Sequence, residues 1–202
     1  MKKTERDFII RLIKREVVPA IGCTEPIAVA LCVSKAARLL GKEPEKIKVL
    51  LSANILKNAM GVGIPGTGMI GLPIAVALGA LAGNPDYQLE VLKDITSDDV
   101  ERGKQVIAEN RIDIQLKENI AEKLYIEVIM SAGLDETTAV ISGGHTCFVY
   151  EARNGNVLLD ERISAVAEES EEDGSLSLRK VYDFALTAPL DEIDFILDSA
   201  RL

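Results

Sequence analysis

The chain has 202 residues, of which 48% are hydrophobic, 4% are aromatic and none is Trp. That length suffices for one large domain or two small ones, and the composition excludes a disordered chain: a real core can form, built mainly from Ala, Val, Ile and Leu. A formal net charge of −9 disfavours a nucleic-acid groove, which needs clustered Lys and Arg against the phosphates, and leaves a small molecule or another protein as the expected partner.

The opening segment MKKTERDFIIRLIKREVV mixes charges into its apolar positions, so it does not read as a secretory signal. Thr4 is placed to cap a first helix, with Asp7 in capping-box position and Phe8, Ile9, Leu12 and Ile13 as an apolar stripe; Pro19 and Gly22 end it. A second, Ala-rich helix is expected over Ile27 to Leu40, capped by Thr24, with Pro26 in its first turn and Gly41 as its stop. Lys46 to Ser52 reads as a strand and Asn54 to Asn58 as a short helical turn. The uncharged stretch from Ala59 to Gly83 is broken by glycines and prolines in its first half. Only Met69 to Ala82 reads as a helix, shorter than the roughly 20 residues a membrane span needs.

Ser97 to Asn110 is expected as a polar helix capped by Ser97, followed by a strand carrying Ile112, Ile114 and Leu116. Alternation then signals hairpins: Leu124, Ile126, Val128 and Met130 share one face, Thr137 to Ile141 is β-rich, and His145 to Arg153 pairs with Val157 to Asp160 across Asn154-Gly155. Glu168 to Asp173 is an acidic connector that ends at Gly174. Val181 to Leu186 and Leu190 to Leu202 read as two helices broken at Pro189, the last with no stop signal, which suggests that a natural chain continues. The layout is α+β, with a mixed or antiparallel sheet packed against Ala/Gly-rich helices.

Cys23, Cys32 and Cys147 are odd in number and widely spaced. A disulfide framework is not expected, and a reducing cytoplasm is. Cys23 stands at the start of the second helix, where the free amides and the helix dipole favour a thiolate; nucleophile, general base and iron ligand are the functional readings, a small buried residue the bland one. Cys32 falls inside the helix and reads as core. His145, the only histidine, shares a predicted strand face with Cys147, an arrangement that suits a metal pair or an ordinary inward-facing pattern. In the GGHT context, His145 also suits general acid-base work, substrate hydrogen bonding or a structural role. Gly66-Thr67-Gly68-Met69-Ile70-Gly71 matches GxGxxG, but it does not directly follow a buried strand. It reads better as a glycine-rich loop offering amides to a carboxylate or phosphate, with Lys57 and Asn58 just before it.

Taken together, Gly22-Cys23-Thr24-Glu25-Pro26, the segment SANILKN from Ser52 to Asn58, VGIPGTG, and His145-Thr146 occur in an order that resembles the L-cysteine desulfidases, relatives of the α chain of iron-sulfur L-serine dehydratase. The resemblance covers nearly the whole chain. It implies the amino-terminal α+β domain of a lyase that cleaves L-cysteine to pyruvate, ammonia and sulfide with a [4Fe-4S] cluster and without PLP. By position it makes Cys23 the cluster ligand or a catalytic thiol, with His145 as the other candidate catalytic residue. Lys57, Asn58, Gly66, Thr67 and Gly68 become the substrate-binding set. The family's other cluster cysteines lie in a helical carboxy-terminal domain, so the missing ligands are expected from such a domain or from a separate subunit. The same elimination logic serves L-serine dehydration, and a non-catalytic amino-acid-binding or regulatory domain is the reading from another class. Neither nucleic acid nor membrane is an expected partner, and a homo-oligomer is compatible with the sequence.

Overall fold

In the computed structural model, β1 (Lys46–Leu51) is the pivot of a six-stranded sheet because it takes one parallel and one antiparallel neighbour. The structure describes residues 1–162 and 176–199. They fall into two units: Met1–Pro19 with the carboxyl-terminal helices, and the larger unit that begins at Ala20.

The larger unit starts with α2 (Thr24–Leu40), whose body is almost wholly buried: Ile27 through Val33 are 0% exposed. Its N-cap is Cys23 and not Thr24, since Cys23 is extended (φ −71°, ψ 133°) while Thr24 already belongs to the helix; Gly41 closes the helix in a left-handed conformation. After β1 come α3 (Ala53–Ala59), a small hairpin of β2 (Gly63–Ile64) and β3 (Met69–Ile70), and α4 (Leu72–Leu81). The helix expected from Met69 therefore begins three residues later, because Met69 and Ile70 pair with Ile64 and Gly63. The uncharged stretch thus divides among the end of α3, β2, β3 and α4, and among the described residues no helix is long and apolar enough to cross a membrane.

Next, α5 (Ser97–Ala108) is capped by Thr96, which exchanges bonds with Asp99 in a capping box, one residue earlier than the expected Ser97 cap. The sheet is completed by β4 (Ile112–Leu116), β5 (Tyr125–Ala132), β6 (Asp135–Ser142), β7 (Phe148–Arg153) and β8 (Asn156–Asp160), in the order β4-β1-β5-β6-β7-β8. Only β1 and β4 are parallel, so the fold is α+β with a mixed sheet. Ile126, Val128 and Met130 are 0% exposed and alternate with half-buried partners, as a strand with one face on the core requires. Helix α2 lies on that face, where the Cys32 thiol donates to Ala139 O at 3.4 Å and the Thr137 hydroxyl donates to Ala36 O at 3.0 Å.

The smaller unit contains α1 (Lys3–Glu16), α6 (Leu178–Thr187), α7 (Leu190–Ile193) and α8 (Phe195–Ser199). The first turn of α1 is closed by Glu5, whose carboxylate accepts from the Lys2 amide at 3.1 Å, in place of the expected Thr4 and Asp7. Arg6 pairs with Glu192 at 2.8 Å and Lys14 lies over the Phe195 ring. The acidic connector from Glu168 to Asp173 lies outside the described residues.

Candidate functional site

Two hydrogen bonds fix the direction of α2 on the sheet. Cys32 meets Ala139, and four residues on Ala36 meets Thr137; moving toward the carboxyl end of α2 therefore means moving back along β6. The amino end of α2 points to the end of the sheet where β6 finishes. At that same end β1 finishes and β5 begins, with Ser52 N donating to Tyr125 O at 3.0 Å and Ser52 Oγ to Lys123 O at 2.8 Å. Cys23, α3 and the GGHT turn after Ser142 are thus brought to one end of the sheet by the topology alone.

Contacts then tie three of the segments together. Gly22 has φ +90°, a conformation that suits glycine, and a Cβ there would meet Pro65 Cγ at 2.8 Å. So the chain before Cys23 lies directly against the PGTG loop. Asn58 at the end of α3 donates to Glu25 Oε1 at 3.3 Å, while the Cys23 thiol and the Thr24 hydroxyl reach Glu25 Oε2 at 3.6 and 3.3 Å. Burial pushes the Glu25 carboxyl up. Its own backbone amide and the donors from Asn58, Thr24 and Cys23 outweigh that and hold it below the ordinary carboxylate value. Glu25, to which sequence reading gave no role, is the hub; its place inside GCTEP was the signal that could have found it.

The residues of the glycine-rich loop are not equivalent. The Thr67 hydroxyl donates to Ile64 O at 2.7 Å and accepts from the Met69 amide at 3.0 Å, so it is spent on closing the hairpin. The amides of Gly66 and Gly68 have no hydrogen-bond partner among the described residues. The segment is the turn of a two-stranded hairpin, which is not the strand-to-helix turn of a dinucleotide fingerprint. Lys57 is exposed, with no ion-pair partner among the described residues.

His145 and Cys147 lie in the turn before β7 and not on the strand, because β7 begins only at Phe148. That turn is closed by Cys147 N to Gly144 O and Ser142 N to Cys147 O. The alternation expected from His145 onward is broken there. His145 is half-buried, and no hydrogen bond joins it to Cys23, Lys57 or Asn58. Among the described residues no group of three or more His, Cys, Asp or Glu side chains is arranged to hold a metal ion. Cys23 and Cys147 are exposed thiols; Cys32 is fully buried, and burial pushes its thiol strongly up.

No family model matches the chain. No solved structure matches it either. Among curated proteins it is similar to a UPF0597 protein of Bacteroides fragilis, 70% identical over 202 residues that make up 100% of this chain and 47% of the relative. It is also similar to a UPF0597 protein of Bacteroides thetaiotaomicron, 69% identical over 100% of this chain and 47% of the relative, and to one of Vibrio campbellii, 47% identical over 96% and 46%. These names state no activity, and the chain spans about half the length of the curated relatives it matches.

Proposed function

We propose that this chain is the amino-terminal part of an iron-sulfur lyase that eliminates sulfide from L-cysteine, without PLP, to give pyruvate and ammonia. The observation that carries the reading is the clustering of GCTEP, the end of α3 and the PGTG hairpin around the exposed thiol of Cys23, through Gly22 against Pro65 and Asn58 on Glu25. The residues of this chain do not by themselves fit a cubane, which takes three or four thiolates: Cys23 is one exposed donor, Cys32 is sealed in the core and Cys147 belongs to a separate turn. The remaining ligands are proposed to come from the other half of a protein of the relatives' length, or from a partner subunit.

What this chain's own groups contribute follows from their geometry. The Gly66 and Gly68 amides and the Lys57 ammonium offer donors to the substrate carboxylate. Glu25 and Asn58 lock the start of α2 to the end of α3, so that Cys23 and Lys57 keep a fixed relation. His145, or Cys23 where its sulfur is not bound to iron, takes the α-proton as the carbon-sulfur bond breaks and hydrosulfide leaves; the resulting aminoacrylate is hydrolysed by water to pyruvate and ammonia.

The test takes a protein of the relatives' length that carries this sequence, reconstituted anaerobically with iron and sulfide, and follows pyruvate from L-cysteine and from L-serine. Pyruvate and sulfide from cysteine, lost in Cys23→Ala, is the expected result. Pyruvate from serine alone would replace desulfidation by dehydration. Absence of pyruvate from either substrate with full iron content would overturn the lyase and leave a binding domain.

A further inference from the structure

At the other end of α2 from Cys23, about 25 Å along a helix of this length, the larger unit forms an open cleft of about 440 Å³. Its lining includes Arg38, Lys42 and Arg102 but only one carboxylate, Glu43, in a chain of formal net charge −9. Two of these cations have their own partners: Arg38 donates to Asp86 and Asn84, each at 2.7 Å, and Lys42 pairs with Asp135 at 2.5 Å. Arg38 also stands in the last turn of α2, where a cation answers the negative end of the helix dipole.

Arg102 and Ser34 are not accounted for in this way. The nearest carboxylates to Arg102 are Glu43 at 3.7 Å and Asp99 at 3.8 Å, both beyond hydrogen-bond distance, and Glu43 is already bonded by Arg111 at 2.8 Å. Arg102 thus has two long ion pairs, while its N–H donors have no hydrogen-bond partner among the described residues. Ser34, only 2% exposed, lines the same cleft, and its hydroxyl has no hydrogen-bond partner among the described residues. A buried hydroxyl left in that state is disfavoured, and its short side chain turns between three staggered positions. Its oxygen is sealed from solvent as it stands; turned toward the cleft, it would donate to an acceptor seated there.

We infer that this cleft binds a small organic oxyanion, a carboxylate or a phosphate, held by the Arg102 fork with Ser34 as a second donor. Arg38 and Lys42 keep the surrounding field from repelling it. The site is independent of Cys23 and of the lyase reading.

The test is calorimetric titration of the intact chain with inorganic phosphate and, separately, with succinate, at ionic strength held constant with sodium chloride. Saturable one-to-one binding of either is expected, phosphate alone assigning a phosphate ligand and succinate alone a carboxylate. Arg102→Gln should weaken it by about tenfold or more, as loss of a charge-assisted hydrogen bond implies. Ser34→Ala should weaken it about threefold or more. Arg102 is half-exposed, so its variant folds, which circular dichroism verifies. The inference is overturned if neither anion binds the wild type, or if either Arg102→Gln or Ser34→Ala binds as tightly as the wild type.

Discussion

Around Cys23 the organising side chain is Glu25, and its charge sets two expectations. Its carboxyl is held below the ordinary value of 4.5 by its own amide and by Asn58, Thr24 and Cys23, against the upward push of burial. A depressed carboxylate contributes stability that is fully present above the ordinary value and is lost as pH falls through the lowered one. Glu25→Gln should therefore cost about 0.5–1 kcal/mol at pH 7, a low figure because the group is half-exposed. Urea midpoints of the two proteins should converge as the pH falls through the lowered value; a constant gap across the acid range would remove Glu25 from the hub. The second expectation concerns thiol chemistry. A carboxylate 3.6 Å from Cys23 opposes the helix-end field, and the reactive species is the thiolate. In the folded chain, brief iodoacetamide treatment should label Cys23 and Cys147 and spare Cys32, and Glu25→Gln should accelerate Cys23 alone. Peptide mapping decides it, and labelling of Cys32 would contradict its burial.

At the scale of elements, α2 and α4 approach so closely that a glycine is needed between them. A Cβ at Gly79 would stand 2.6 Å from Ala30 O and 3.1 Å from Val33 Cγ1, both residues fully buried. Gly79→Ala should push the helices apart and destabilise the fold by about 1–3 kcal/mol despite the better helix propensity of Ala; an unchanged denaturant midpoint would mean that the pair can slide. The interiors of such elements were legible because they follow local periodicity: the stretch expected as a helix over Ile27 to Leu40 lies inside α2, and Lys46 to Leu51 is β1. What local pattern could not show depends on partners distant in the chain. Met69 and Ile70 leave the helix because Gly63 and Ile64 pair with them. His145 leaves the strand because the GGHT turn closes on itself and the β6-β7 register shifts between Val140 and Ile141. The caps at Cys23 and Thr96 each moved one residue from the expected ones, since several polar residues there can serve and backbone geometry selects among them. For the candidate site, the individual segments could be read from the sequence, whereas the bond from Asn58 to Glu25, 33 positions apart, exists only in the fold.

For the whole molecule, the proposed cluster raises the question of how many of its ligands a chain covering 47% of its relatives can supply. Of its three thiols, Cys32 is 0% exposed and bonded to strand carbonyls. Moving it to a surface cluster would empty part of the core and cost several kcal/mol. Cys147 sits in a turn whose backbone is closed by its own amide and carbonyl, and it belongs to no group of three or more His, Cys, Asp or Glu side chains arranged to hold a metal among the described residues. Cys23 remains as the one exposed thiol within the clustered segments. A cubane bound through one thiolate would exchange readily, whereas three or four thiolates would hold it. The isolated chain, reconstituted anaerobically with iron and sulfide, should accordingly emerge from gel filtration with far less than one cluster per chain by iron and acid-labile sulfide analysis. A protein of the relatives' length should retain about one by the same measure, and Cys23→Ala should lower that content or leave it labile while Cys147→Ala does not. A stoichiometric cluster on the isolated chain would show that its own side chains complete the site, and the division of ligands between two halves would have to be abandoned.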